Sequence, residues 1–153
     1  MKQTQIVEEY CNTWRWSKSD ELKVGTWMKG TTLHVCCGLS QIGDVRVDLT
    51  TKSDIKASVL KLPFKSHSFD TVIADPPWNL GFVSEFWNEL KRVAKERIIT
   101  ICLSMMNPTR VWYLKHQEVI NHGVFQCKIL TVYEKSGQDL ENFIITDTRK
   151  CNA

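Results

Sequence analysis

Apolar positions along this chain fall into short runs broken by polar turns, and the runs have two different periods. Thr31 to Cys36 is a brief apolar run with β-branched residues that ends at Cys37-Gly38, and Val45-Arg46-Val47 is a second that ends at Asp48. Ile55 to Val59 reads as a third strand. Asp70 to Ala74 reads as a fourth, stopped by Asp75-Pro76-Pro77 because prolines cannot continue a ladder. A longer period follows. Val83, Phe86, Trp87, Leu90 and Val93 recur at i, i+3, i+4, i+7 and i+10, with Glu85, Asn88, Glu89 and Arg92 opposite, which predicts an amphipathic helix. Ile98 to Leu103 is continuously apolar, as a central strand buried on both faces would be. Pro108 is placed to open another helix, with Val111, Trp112, Leu114 and Val119 as its apolar face and Gly123 at its end. Phe125 to Tyr133 and Phe143 to Thr146 then read as a hairpin around Ser136-Gly137-Gln138-Asp139. The stretch Ile6 to Lys29 is the least regular, and Ser19-Asp20-Glu21-Leu22 is suited to cap a short helix.

Strands alternating with helices and closing in a hairpin predict an α/β fold. The expected architecture is a three-layer, mostly parallel sheet with an antiparallel C-terminal hairpin. The chain, residues 1–153, reads as one domain, with residues 1–30 as an N-terminal cap. In such sheets ligands bind at the carboxyl ends of the strands, which singles out Cys37, Gly38, Asp48, Ser58, Asp75-Pro76-Pro77-Trp78 and Ser104. One connection is short: seven residues, Cys37 to Gly43, separate Cys36 from Asp44. A parallel crossover normally takes about a dozen, so the first crossover helix is expected to be missing.

Composition narrows the picture further. Apolar residues make up 42% of the 153, which excludes a disordered chain. No apolar run approaches the roughly 18 residues that cross a bilayer, and no apolar stretch follows Met1-Lys2-Gln3-Thr4-Gln5 as in a secretory signal. The six cysteines, Cys11, Cys36, Cys37, Cys102, Cys127 and Cys151, form no C-x-x-C pair, and several sit in apolar runs. Buried thiols of that kind fit a reducing cytoplasm. His34, His67, His116 and His122 show no metal spacing, so no metal is expected. The net charge of +3 permits a polyanionic partner without demanding one.

The sharpest chemical signal is Asp75-Pro76-Pro77-Trp78 at the end of an apolar strand. Consecutive prolines fix the backbone and hold the Asp75 carboxylate beside the following carbonyl. Two acceptors at that spacing both bind one exocyclic NH2, draw its lone pair out of conjugation with a base ring, and leave a usable nucleophile. Trp78 offers a face for the base, worth about 1–3 kcal/mol. A plain strand terminator is the bland alternative.

On these residues the chain resembles the class I S-adenosylmethionine-dependent methyltransferases, in the branch that methylates exocyclic amino groups of nucleobases and carries a D/N/S-P-P-Y/F/W motif. The resemblance runs from Thr31 to Ile145. Leu33-His34-Val35-Cys36-Cys37-Gly38 is similar to the family's first motif, a strand and glycine loop around the methionine part of the cofactor, although Cys37-Gly38-Leu39-Ser40 stands where the family has Gly-x-Gly. Asp48 matches the acid that holds the cofactor's ribose hydroxyls. Ser58-Val59-Leu60-Lys61-Leu62-Pro63-Phe64, followed by Ser68-Phe69-Asp70, resembles the D-x-x-x-L-P-F…S-F-D stretch. Ser58 stands where the family has an Asp for the adenine amino group, and Val59 where a backbone N–H meets the adenine ring. Glu89-Leu90-Lys91-Arg92-Val93 and Arg97-Ile98-Ile99-Thr100 resemble the helix and strand that follow the catalytic motif.

The resemblance implies S-adenosyl-L-methionine as cofactor and methyl transfer to an exocyclic amino group, foremost adenine N6 in DNA or RNA. Guanine N2 and a protein amide stay open, as does a non-catalytic scaffold serving a partner subunit. A chain of 153 residues leaves no separate target-recognition domain, so a structured or single-stranded nucleic acid, or a protein partner supplying recognition, is expected. Three weaker features carry alternatives. Trp14, Arg15 and Trp16 belong to a packed N-terminal lid or to a stacking surface. Lys61, Lys65, Lys91, Arg92, Lys95 and Arg97 track phosphates, or the last four form a solvated helix face. Met105-Met106-Asn107 borders the substrate mouth or is an ordinary loop.

Overall fold

The computed structural model describes residues 15–76, 83–102, 107–121 and 127–137. The apolar runs become strands, including one, Trp112–Asn121, where the sequence predicts a helix. They are β1 (Thr32–Val35), β2 (Val45–Asp48), β3 (Ile55–Lys56), β4 (Phe69–Ala74), β5 (Ala94–Ile101), β6 (Trp112–Asn121) and β7 (Cys127–Lys135). Among the described residues they form one seven-stranded sheet in the order β3-β2-β1-β4-β5-β7-β6. Neighbours from β3 to β5 are parallel, whereas β7 runs antiparallel to both β5 and β6.

Among the described residues two helices lie on opposite faces. Helix α1 (Lys18–Gly25) starts at Ser17, two residues before the cap expected at Ser19. Ser17 Oγ accepts from the Asp20 N–H at 3.2 Å while the Asp20 carboxylate accepts from the Ser17 N–H at 3.3 Å, a reciprocal box that satisfies two otherwise unpaired donors. Helix α2 (Val83–Val93) buries Phe86, Trp87, Leu90 and Val93, the stripe read from the sequence. That stripe packs on Leu33, Val35, Val72, Ala74, Ile98 and Tyr133. On the other face Val24 of α1 and Trp16 pack with Ile73, Ile99, Ile101, Leu130 and Val132. Alternation along β4, β5 and β7 thus feeds both layers, giving the expected three-layer α/β arrangement.

The first crossover helix is missing, as expected: no helix lies between Val35 and Val45. The loop is instead clamped to the start of β1. The Asp44 carboxylate accepts from the Thr32 N–H at 2.8 Å, and the Asp44 N–H donates to the Thr32 carbonyl at 2.9 Å. The connections from β2 to β3 and from β3 to β4 carry no helix either; Val59, Leu62 and Phe64 of the latter cover the α2-side core. Gly30, with φ +53°, precedes β1, and a Cβ there would lie 2.3 Å from the Asp70 carboxylate, which caps the Thr31 N–H at 2.7 Å.

Two expectations are corrected. The helix after Pro108 is absent, and its apolar residues Trp112, Leu114 and Val119 lie on the ten-residue strand β6. Pairing with β7 steps from Leu114–Tyr133 to His116–Val132, so Lys115 forms a bulge. The bulge reverses the faces: Trp112 enters the α2-side core and Ile120 the α1-side core. That break in alternation produced the helix-like spacing. β7 lies between β5 and β6, antiparallel to both, and residues 143–146, expected as its hairpin partner, lie outside the described residues. Ile55 to Val59 shortens to the two-residue β3. Among the described residues no helix is long and apolar enough to cross a membrane.

Candidate active site

The strand order reverses between β1, which leads to β2 on one side, and β4, which leads to β5 on the other. Loops leaving two such strands diverge and open a crevice at their carboxyl ends. Cys36-Cys37-Gly38 leaves β1 there and Asp75-Pro76 leaves β4. Cys36 and Gly38 both hold φ +53°. Glycine takes that conformation without strain; Cys36 does not. Cys37 is buried, and burial, with the Asp48 charge nearby, pushes its thiol up to about 11, which makes it a packing residue and a poor nucleophile.

Asp48, at the end of β2, ties this loop down. Its Oδ2 accepts from the Gly38 N–H at 3.0 Å. Its Oδ1 accepts from the N–H groups of Thr50 and Thr51, both at 2.9 Å, and from the Thr50 hydroxyl at 3.2 Å. Burial opposes the charge, but the N–H donors of Thr51, Thr50 and Gly38 outweigh it and hold the carboxyl below its ordinary value. An ionised carboxylate therefore stands beside the β1 loop. The Ala57 N–H donates to the Asp48 carbonyl at 3.2 Å, which brings Ser58 and Val59 to the same strand end. Ser58 is half-buried and its Oγ accepts from the Leu60 N–H at 3.3 Å, while the Val59 side chain joins the core.

Asp75 and Pro76 are both buried; Pro77 and Trp78 lie outside the described residues. Asp75 is 8% exposed, and its Oδ2 accepts from the Trp16 indole N–H at 2.6 Å and lies 3.3 Å from Lys128 Nζ. Trp16 is buried and tilts against the His34 ring, centroids 4.7 Å apart. The segment before α1 is thus packed on the core, as a lid reading requires of Trp16; Trp14 lies outside the described residues. Burial lowers the pKa of His34 to about 4 against the opposing bond from Nδ1 to the Ile42 carbonyl at 3.1 Å, so the ring is neutral. Ser40 of the β1–β2 loop donates to Glu21 of α1 at 2.8 Å, so the N-terminal segment touches both loops of the crevice.

Lys128 went unrecognised in the sequence. Its signal is an isolated Lys within the apolar run of β7, in phase with Leu130 and Val132, where a solvated residue would be out of phase. The other basic residues divide. Arg92 is bonded to Glu89 and to the carbonyls of Phe64 and Leu62, and Lys95 pairs with Asp70 at 2.9 Å. Arg97 is buried, bonded to the Trp27 carbonyl and to Glu134. These three serve the fold, and neither a phosphate track nor a solvated face describes Arg97. Lys61 and Lys65 are exposed and Lys91 is half-buried. Met105 and Met106 lie outside the described residues, while Asn107 is exposed.

The strand order, with its reversed seventh strand, is the α/β Rossmann-like fold of methyltransferases. Solved structures with this arrangement include the candidate methyltransferase YhhF of Escherichia coli, 14% identical, with a TM-score of 0.54 over 80% of this chain and 89% of that one. A SAM-dependent methyltransferase of Methanosarcina mazei is 9% identical, with a TM-score of 0.53 over 80% and 99%. TrmN of Thermus thermophilus is 17% identical, with a TM-score of 0.54 over 77% of this chain and 48% of its own length. No family model matches the sequence, and no curated protein matches it either. At these identities the likeness is one of fold.

Proposed function

We propose that this chain binds S-adenosylmethionine and transfers its methyl group to an exocyclic amino group of a nucleobase, foremost adenine N6 in DNA or RNA. The observation that carries the reading is the position of Asp75-Pro76: directly at the carboxyl end of β4, across the topological switch point from the Cys36–Gly38 loop. The residues present suit the cofactor. Asp48 is ionised, and Oδ2 receives one protein hydrogen bond where a carboxylate oxygen has room for two, so a ribose hydroxyl has an acceptor. The positive φ of Gly38 lets backbone approach a ligand. Cys36, Cys37 and Gly38 border the methionine end, and Ser58 and Val59 border the adenine. S-adenosylmethionine supplies a methyl group on a sulfonium, a leaving group needing no protonation.

The chain's own part is positioning. Asp75 and the Pro76 carbonyl orient the amine, Pro77 stiffens the turn, and Trp78 stacks on the base. Lys128 adds an argument about substrate class. It offsets the Asp75 charge in a buried setting, so an alkylammonium would meet a second cation, whereas a neutral aromatic NH2 brings no charge for Lys128 to repel. The solved structures of similar fold are named as methyltransferases, which supports methyl transfer in general.

Calorimetry with S-adenosylmethionine and its demethylated product, then transfer of tritiated methyl to DNA, RNA and protein pools, tests the proposal. Asp75→Ala is expected to abolish transfer while cofactor binding stays nearly unchanged; unaltered turnover removes Asp75 from its role. Asp48→Ala is expected to weaken cofactor binding by about 1–3 kcal/mol, the cost of a hydrogen bond lost from a charged group. A second reading, a scaffold that serves a catalytic partner, is favoured by the burial of Asp75 at 8% exposure. Absence of binding to either compound near millimolar concentration selects it.

A further inference from the structure

Three segments distant in sequence meet at one oxygen atom. Trp16, 59 residues before Asp75, and Lys128, 53 residues after it, both reach Oδ2. Strand alternation explains the meeting. Ile73 of β4 and Leu130 of β7 share the α1-side layer with Trp16, so Asp75, two after Ile73, and Lys128, two before Leu130, fall on that side. The ion pair is almost dry, with side-chain exposures of 1% for Lys128 and 5% for Asp75.

Stability does not account for such a pair. Removing two charges from water costs several kcal/mol per ion, and well-packed apolar side chains of similar volume commonly do as well or better. What the arrangement provides is orientation: bonds from two separate segments to one oxygen oppose rotation of the carboxylate plane. We infer that Trp16 and Lys128 are positioning residues of the methyl-transfer site, holding the Asp75 carboxylate in one orientation beside the Pro76 carbonyl. This rests on the methyl-transfer reading above. It places the segment before α1 inside the active site rather than over it. Neither residue binds the transferred group. Their loss therefore acts on kcat, since a displacement of about 1 Å at a reacting centre costs up to about a hundredfold in rate.

The test uses the full chain, tritiated S-adenosylmethionine and an adenine-containing oligonucleotide that the unaltered protein methylates. Trp16→Phe keeps an aromatic ring against His34 and deletes the N–H donor. Lys128→Arg keeps the charge and moves it. Each is expected to lower kcat by about tenfold or more, with KM for the oligonucleotide and Kd for S-adenosylmethionine within about threefold. A merely structural role would instead lower the melting temperature and leave kcat of the folded fraction intact. Variants that match the unaltered protein in kcat, or differ only in KM, overturn the inference and leave the methyl-transfer reading standing. If Trp16→Phe fails to fold, Lys128→Arg decides alone. An unaltered protein that binds S-adenosylmethionine yet methylates no adenine-containing acceptor overturns the methyl-transfer reading, and the positioning role with it.

Discussion

Cys36 concentrates the local cost of the crevice. A Cβ at φ +53° crowds the following carbonyl, at about 1–2 kcal/mol for a non-glycine residue. Cys36→Gly is therefore expected to raise stability by up to about 1 kcal/mol, the relief of strain being partly offset by the greater freedom of glycine in the unfolded chain. Urea melts read at equilibrium check this, and a loss of stability would mean that the Cys36 side chain contributes more by packing than it costs in strain. The same position shows what single residues reveal in a sequence. The glycine loop was legible because Gly38 stands after an apolar strand, and the two-acceptor turn because prolines follow Asp75. Lys128 was not, because no local pattern tells a lysine in an apolar strand that its partner lies 53 residues away.

Among elements, α2 was read in full and β6 was misread, for one reason. A period of 3.6 survives wherever a helix packs one stripe on a sheet, and Phe86, Trp87, Leu90 and Val93 do that without interruption. The period of 2 survives only while a strand keeps its faces, and the Lys115 bulge exchanges those of β6 midway. Turn composition helped little, since the partner of β7 lies across residues 122–126, with no short Asn-Gly signal. Leu90 sits at the centre of the α2 stripe, fully buried against the strands. Leu90→Ala should destabilise by about 2–5 kcal/mol through lost burial and the cavity left behind, as thermal unfolding would record. Asn88→Ala on the exposed face is the control, expected to stay within about 0.5 kcal/mol.

For the molecule as a whole, the buried imidazole sets a limit toward acid. Folded His34 titrates at about 4, against 6.5 when solvated. Between those values the unfolded chain takes up a proton that the folded chain refuses, so stability falls as pH drops from about 6.5 to about 4, by up to about 3 kcal/mol, and this contribution is constant below. Glu134 acts lower. Burial opposes its charge, but bonds from Arg97, Tyr113 and Lys115 bring it down to about 2, so its stabilisation is complete above about 4.5 and is lost toward 2. His34→Phe should flatten the upper limb alone, measurable as melting temperature against pH; an unchanged slope would assign that limb to another group.

The junction between α2 and β5 has a consequence for how this chain can vary. Val93 closes the helix and Ala94 opens the strand, with no linker between them. A one-residue insertion at that seam would turn Ile98 and Ile99 each toward the wrong layer and carry the flanking pairings of β4 and β7 with them. The helix-free connections from β1 to β2, β2 to β3 and β3 to β4 impose no such coupling, so the seam works as the reading frame of the sheet.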